Sequence, residues 1–394
     1  MAEERFATLR QIPASVWVLG CVSMLMDISS EMIHSLLPMF LVSGLGASVA
    51  TVGFIEGLAE ATALIVKVFS GVLSDYLGQR KWLAVAGYAL GALSKPFFAI
   101  ATSANVVLTA RVFDRIGKGI RGAPRDALVA DITPPEYRGA AFGLRQSLDT
   151  AGAFLGPLVG AGLMLLWAND FRRIFWIAVI PAGLAVLLLA AGVKEPERGP
   201  ASRRVNPIQS DILEQLTAAY WWIVAIGAFF TLARFSEAFL VLRAMQGGMQ
   251  QALIPLVMVA MNIVYMLSAY PFGKLADSMS HKILLLIGLG LLIMADIVLA
   301  QSSHWIPVLL RVGLWGLHMG MTQGLLAVMV AQTAPVALRG TAFGFFNLAS
   351  GIAMLLASTI AGGLWEHWGA STTFYAGAVF SAVAAVLIVG RSAG

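Results

Sequence analysis

The feature that most constrains this chain is a series of about twelve mostly apolar segments, each about 20 residues long or longer, separated by short polar stretches. A helix needs about 20 consecutive apolar residues to cross the hydrocarbon core of a bilayer. Hydrophobic residues make up 59% of the 394 residues and charged residues only 12%, which is about half the charged fraction of a soluble domain. The sequence therefore predicts an all-α polytopic membrane protein with twelve transmembrane helices.

The longest polar stretch divides the apolar segments into two groups of six. It runs from 194 to 215 and is rich in Pro, Glu and Arg, a composition typical of a linker. We therefore expect an N-terminal six-helix bundle at 1–193, a cytoplasmic linker at 194–215 and a C-terminal six-helix bundle at 216–394.

The two groups of segments also resemble each other. Gly71–Asp75 recurs 202 residues later as Gly273–Asp277, and Arg138–Gly143 recurs 201 residues later as Arg339–Gly344. Two more short matches have nearly the same offset. Because six helices is an even number, both halves insert with the same topology, which predicts a parallel pseudo-repeat about an axis along the membrane normal.

The loop charges predict the orientation. With the N-terminus inside, most basic loop residues lie on the inner side, among them Arg80, Lys81, Arg138, Lys282 and Arg339. We expect both termini in the cytoplasm and, from the economy of the loops, a bacterial inner (plasma) membrane. This distribution also accounts for the net charge of +5 without a nucleic-acid partner. We expect membrane lipids as neighbours and a monomer.

The loop after the second segment reads Gly71-Val-Leu-Ser-Asp75-Tyr-Leu-Gly78-Gln-Arg80-Lys81. It resembles the signature loop of the major facilitator superfamily, and the resemblance covers essentially the whole chain. It implies two six-helix bundles and a conformational latch; the latch residues are Gly71, Asp75, Gly78 and Arg80, with Gly273 and Asp277 in the second half. Ser280 stands where the second copy should have glycine.

The fifth segment contains Gly152-Ala-Phe-Leu-Gly156-Pro157-Leu-Val-Gly160, which resembles the antiporter motif of that superfamily. Small residues every four positions let helix backbones pack closely, and the proline bends the helix. The resemblance favours a bacterial, drug/proton-antiporter-like subgroup and export. The alternative is a tightly packed kink with no bearing on direction.

The fourth segment carries an unusual set of charges. Its opening resembles the helix-4 motif of the family, in which an arginine at the position of Arg111 is linked with proton transfer. Asp114 and Arg115 depart from the usual glutamine-glycine. Positions 111, 115, 118, 122 and 125 share one helical face, and four of the five are basic. This face suggests an anionic or zwitterionic solute.

A charge at mid-membrane costs at least about 2.5–3.5 kcal/mol, so a chain that keeps several is expected to use them. Asp27 and Glu31 lie one turn apart on the first segment, and the resemblance implies that helices 1, 4, 7 and 10 line a central cavity. We predict that the proton-coupling residues are Asp27, Glu31, Arg111 and Asp114, and that Glu60, Arg115, Lys118, Arg234, Glu237, Arg311 and His318 face the substrate. For His318 the alternative is a hydrogen bond that only bridges two helices.

These features predict a secondary active transporter that moves a small organic solute by alternating access, with proton-coupled efflux (antiport) as the leading hypothesis. Proton-coupled uptake or exchange of an organic anion is the alternative, and a non-transporting membrane sensor or partner protein is a remote one. The sequence contains no nucleotide-binding loop, metal-ligand cluster or nucleophile-base set. We therefore expect no enzyme activity, no metal and no cofactor, with the proton gradient as the energy source.

Overall fold

A computed structural model of the chain describes residues 11–77, 79–195, 216–276, 279–301, 304–335 and 338–390. Within these residues the long elements are helices and no strand occurs. The first six helices are α1 (Ala14–Met39), α2 (Val49–Leu77), α3 (Arg80–Ile100), α4 (Ala104–Ile132), α5 (Arg138–Leu166) and α6 (Phe171–Gly192). The remaining ones are α7a (Ala218–Ala233), α7b (Ala238–Gln246), α8 (Leu256–Ala276), α9 (His281–Ala300), α10 (Trp305–Thr333), α11 (Arg339–Trp368) and α12 (Ala370–Gly390). Counting α7a and α7b as one interrupted helix, the predicted twelve-helix fold is confirmed.

Eleven helices among the described residues are long and apolar enough to span a membrane. The long helix missing from that set is α4, because it carries too many charged residues. Four of them, Arg111, Asp114, Arg115 and Arg121, are buried. These four charges therefore face protein rather than lipid, where an unpaired charge would be costly.

The chain packs as two compact units. The first contains the chain up to His34 and continues from Ile65 through α6. The second contains Ser35–Leu64 and the chain from α7a onward. Because α1 and α2 each contribute to both units, the structural division differs from a simple cut in the linker. The predicted bundle boundaries stay a prediction, and the linker from 196 to 215 lies outside the described residues.

In the first unit, α3 and α4 approach each other very closely. A Cβ atom on Gly117 of α4 would come within 2.6 Å of the carbonyl oxygen of Gly87 and 2.8 Å of the amide nitrogen of Gly91, both on α3. Only hydrogen side chains permit such backbone contact. The contact brings the charged face of α4 against α3, where the site described below is built.

In the second unit, α7 is interrupted between Ala233 and Ala238. The sequence predicts one continuous apolar segment here, and the break is a finding of the structure. Serine hydroxyls accept two of its amide donors: Ser236 N–H donates to Ser358 Oγ of α11 at 3.1 Å, and Ala238 N–H donates to Ser236 Oγ at 3.2 Å. These bonds compensate for the helix bonds lost at the break.

Also in the second unit, the first half of α2 packs backbone to backbone against α11. A Cβ atom on Gly57 would come within 2.9 Å of Ser358 Cβ, and one on Gly362 would come within 2.9 Å of Ala50 Cα. The first amide of α2, Val49 N–H, donates to Glu366 Oε2 of α11 at 3.0 Å. We call this contact the α2–α11 seam.

Candidate functional site

Asp114 of α4 is the centre of a buried ion cluster in the first unit. Its Oδ1 lies 2.7 Å from Lys95 Nζ of α3, and its Oδ2 lies 3.8 Å from both Arg111 Nη1 and Arg115 Nε. All four side chains are at most 3% exposed. Lys95 Nζ also donates to Ser30 Oγ of α1 at 2.9 Å. The cluster therefore joins three helices and holds three cations around one carboxylate.

A second ion cluster joins α4 to α5. Arg125 Nε lies 3.1 Å from Asp126 Oδ1, and Arg125 Nη1 lies 3.5 Å from Asp149 Oδ1 of α5. Arg145 Nη1 lies 3.7 Å from Asp149 Oδ2 one turn along the same helix. Arg125 also donates to Ser23 Oγ of α1 at 3.0 Å. The cluster contains two positive and two negative charges and has no net charge. We therefore interpret it as a structural contact between α4 and α5 and not as a ligand site.

Tyr88 and Arg121 lie between the two clusters. The guanidinium carbon of Arg121 is 4.9 Å from the centroid of the Tyr88 ring, a cation–π distance. The hydroxyl of Tyr88 is hydrogen-bonded to Ser23 Oγ at 3.2 Å. The polar groups of α4 thus form an almost continuous column from Asp114 to Arg125 inside the first unit.

The two predicted acids of α1 lie near this column. Glu31 Oε2 is 3.3 Å from His34 Nδ1, and Glu31 is within electrostatic range of Lys118. Asp27 is within range of Lys118 and Arg121. Glu31 is also within electrostatic range of Arg115 of α4, and Arg111 Nη1 lies 3.8 Å from Asp114 Oδ2 on its own helix.

The predicted antiporter motif of α5 packs directly against these acids. A Cβ atom on Gly152 would come within 2.9 Å of Asp27 Cβ, and one on Gly156 would come within 2.8 Å of Glu31 Cβ and of Ile28 O. Pro157 and Gly160 are also buried on α5. The glycines of α5 therefore set the position of the acidic face of α1. Neither the glycine motif nor the pair of acids predicts this contact by itself.

The predicted latch of the first half is partly described. Arg80 Nη1 donates to Asp131 Oδ2 at 2.6 Å, which ties the start of α3 to the end of α4. Glu195 accepts hydrogen bonds from the backbone N–H groups of Arg80 and Lys81, each at 2.8 Å. This carboxylate caps the N-terminus of α3, and its negative charge interacts favourably with the positive end of the helix dipole.

For the other predicted latch residues, the structure describes only the space around two glycines. Gly71 has ordinary packing, with Ala123 Cβ 3.6 Å from a Cβ built on it, and Gly273 has open space around it. Gly78, Asp277 and the side chain of Asp75 lie outside the described residues. The latch role stays a prediction.

In the second unit, His318 of α10 is fully buried. Its Nδ1 lies 2.8 Å from the carbonyl oxygen of Gly288 on α9, and its ring stacks on Phe230 with centroids 5.3 Å apart. This geometry favours the helix-bridging alternative over a substrate contact. Arg234, at the break of α7, lies within electrostatic range of the ring.

Two arginines bind the last carbonyl groups of α9. Arg311 Nη1 of α10 donates to Val298 O at 2.6 Å. Arg243 of α7b donates to Leu299 O and Ala300 O, both at 3.0 Å. Both positive charges interact favourably with the negative, C-terminal end of the α9 dipole.

Two acids of the second unit, Glu60 and Glu237, are the remaining predicted substrate-facing residues. Glu60 is half-buried on α2, and Glu237 precedes α7b. For Glu60, Glu237, Arg311 and Arg234, a substrate-facing role stays a prediction.

The structure adds residues that the sequence analysis did not select, chiefly Lys95, His34 and Asp296. Lys95 could have been identified from the sequence, because it is a lone lysine inside the apolar third segment. A charge in the membrane is costly in free energy, which is the argument that selected the acids of α1. Among the described residues no group of His, Cys, Asp or Glu could hold a metal ion.

Membrane-length helices in two units, with charges buried against protein, define a polytopic membrane protein. The sequence identifies which kind: the chain belongs to the Major Facilitator Superfamily, whose family model matches residues 19–218 and 248–393. The predicted family is confirmed, and the chain is a multi-pass integral membrane protein.

The chain is similar to several known proteins. It is 31% identical over 389 residues to an uncharacterised MFS-type transporter of Methanocaldococcus jannaschii, covering 96% of this chain and 95% of that one. It is 32% identical over 159 residues to the multidrug resistance protein MdtH of Photorhabdus laumondii, covering 40% of this chain and 37% of that one. The crystal structure of a POT family transporter in complex with 5-aminolevulinic acid has the same fold, with a TM-score of 0.79, 14% identity and 98% of each chain covered.

Proposed function

We propose that this protein exports a small organic solute in exchange for protons, by alternating access. The observation that carries the proposal is the acidic face of α1. Asp27 and Glu31 lie one turn apart, are held by the glycines of α5, and are within electrostatic range of the cations of α4. A carboxylate beside these cations changes the local charge by one unit when it binds a proton.

The coupling step follows from that charge change. When a proton adds to a carboxylate oxygen of Asp27, the negative charge near Lys118 and Arg121 disappears. The attraction between α1 and α4 weakens, and the electrostatic preference for a bound solute changes. The proton binds the ionised carboxylate, and the solute favours one of the two protonation states of this group. If the solute favours the ionised state, proton and solute compete for one site, and this competition produces antiport.

Export is supported by the antiporter-like motif of α5 and by the similarity to a protein named for multidrug resistance. That similarity extends over 40% of this chain. It supports the direction of transport as a proposal and says nothing about the solute of this protein.

The proposal is tested first by a thermal-shift screen of the purified protein against drugs, organic anions, sugars and siderophores, because a bound ligand raises apparent stability. The most stabilising compound is then offered outside proteoliposomes whose lumen is acidic. Antiport predicts that the compound accumulates inside while protons leave. Accumulation only in the opposite gradient, with the lumen alkaline, would indicate symport and would overturn the antiport mechanism.

A second candidate, uptake or exchange of an organic anion, is favoured by a specific observation. Asp114 is one carboxylate near four buried cations; these are Lys95, Arg111, Arg115 and Arg121. The local excess of positive charge would be reduced by an anionic solute. Accumulation of a labelled organic anion only when the lumen is alkaline would favour uptake, and anion exchange that does not respond to a pH gradient of either sign would favour exchange over proton antiport.

A further inference from the structure

Asp296 of α9 is a buried acid that the proposed mechanism does not use. Its relative exposure is 0%, and neither carboxylate oxygen has a hydrogen-bond partner among the described residues. Gly377 of α12 lies so close that a Cβ atom there would come within 2.6 Å of Asp296 Oδ2 and 3.0 Å of Phe235 Cε1. The absent side chain of Gly377 makes room for the carboxyl group.

Charged groups on the neighbouring helices are engaged elsewhere. On α10, His318 binds the Gly288 carbonyl and Arg311 binds the Val298 carbonyl. On α7, Arg234 lies near His318 and Arg243 binds Leu299 and Ala300. The α12 helix carries no charged residue.

An ionised carboxylate in such a place would lack both water and a counter-ion, which is too costly to persist. The group therefore holds a proton in this conformation. An apolar residue would fill the same space without that requirement, so the carboxyl group suggests a role that needs a proton to come and go.

Phe235, a residue of the α7 break, forms an apolar wall beside Gly377 and the carboxyl group. Phe235 lies in the non-helical stretch between α7a and α7b and packs on Trp315 and Phe374, with ring centroids 5.4 and 5.6 Å away. A movement of α7 at its break would displace this ring and admit water to the carboxyl group. The same movement would shift Arg243 of α7b relative to Leu299, which is three residues after Asp296 on α9.

We propose that Asp296 is a second proton-binding site, loaded in this conformation and emptied when α7 moves at its break. In the release step the carboxyl O–H bond breaks, the proton passes to the admitted water, and the carboxylate is stabilised by that water and by Arg311 or Arg243. This site is separate from Asp27 and Glu31, and it stands or falls independently of the proposed antiport.

Infrared spectroscopy of the purified full-length protein tests the site without any solute. The carbonyl stretch of a protonated carboxylic acid is resolved from carboxylate bands, so its intensity is followed as pH rises. Wild-type protein is expected to retain a protonated-acid band at neutral pH that the isosteric Asp296→Asn variant lacks. Asp170→Asn, at a partly exposed acid that caps the start of α6, is the matched control and keeps the band. Identical spectra for wild type and Asp296→Asn would overturn the proposal.

Two further variants keep the test decisive if Asp296→Asn folds poorly. Phe235→Ala removes the apolar wall and is expected to make the band disappear at a lower pH than in wild type. Asp27→Asn should leave unchanged the component of the band that is lost in Asp296→Asn, which distinguishes this site from the acids of α1. A band insensitive to Phe235→Ala would contradict coupling to the α7 break, and a band lost in Asp27→Asn would assign the proton to α1 instead.

Discussion

The ammonium nitrogen of Lys95 lies 2.7 Å from Oδ1 of Asp114, and the two side chains are 1% and 3% exposed. This pair ties α3 to α4 inside the first unit. Arg111 and Arg115 approach the other carboxylate oxygen at 3.8 Å. One carboxylate thus stabilises three buried cations, and its charge determines whether they can remain together.

Replacing Asp114 by Asn should therefore be strongly destabilising. It leaves buried cations without their carboxylate, for which we expect a loss of about 3–5 kcal/mol. Lys95→Met should cost less, because Arg111 and Arg115 still compensate Asp114. Thermal unfolding in detergent measures both variants.

The matched control for this ion cluster is the exposed pair of Arg173 and Asp170, whose side chains are 67% and 37% exposed. Arg173→Ala should cost less than about 1 kcal/mol. An Asp114→Asn protein as stable as Arg173→Ala would show that the buried cluster contributes nothing to the fold.

Gly156→Ala should disturb the acidic face of α1. The added methyl would lie 2.8 Å from Ile28 O and from Glu31 Cβ, and relieving such overpacking typically costs about 1–3 kcal/mol. Thermal stability and proton-driven transport should both fall. Gly162→Ala on the same helix is the control, since nothing lies within 4 Å of a Cβ there; equal effects of the two substitutions would refute close packing of α5 on α1.

Glu366→Ala should loosen the first turn of α2. Its carboxylate accepts hydrogen bonds from Val49 N–H at 3.0 Å and Ala50 N–H at 3.5 Å. Loss of a helix cap costs about 0.5–2 kcal/mol, which corresponds to roughly 2- to 30-fold faster amide exchange. Hydrogen–deuterium exchange of peptides from this turn measures the change. Glu136→Ala, at an exposed acid, should leave the exchange unaltered, and unchanged rates in Glu366→Ala would disprove the cap.

The number and type of helices could be predicted because the lipid imposes a local requirement, about 20 apolar residues for each crossing. The break of α7 could not. Its segment has neither glycine nor proline near Phe235, and the interruption depends on a bond from Ser236 to Ser358, 122 residues away. Such a tertiary contact leaves no periodic signal in the sequence.

The candidate site shows the same division. Asp27, Glu31 and the glycines of α5 could be selected because their spacing is regular and their cost in a membrane is high. Their mutual packing could not be foreseen, nor could the pairing of Asp114 with Lys95. That pairing depends on the rotation of α4 against α3, which is fixed by the contact of Gly117 with Gly87.

The most direct test of the central claim is solute accumulation driven by a pH gradient alone, in proteoliposomes with an acidic lumen. The solute is the compound that most stabilises the purified protein. Wild type should concentrate it, whereas the Asp27→Asn/Glu31→Gln double variant should lose accumulation and keep solute-for-solute counterflow, which shows that it is folded. If the double variant still concentrated the solute as wild type does, the acids of α1 would not be the coupling groups.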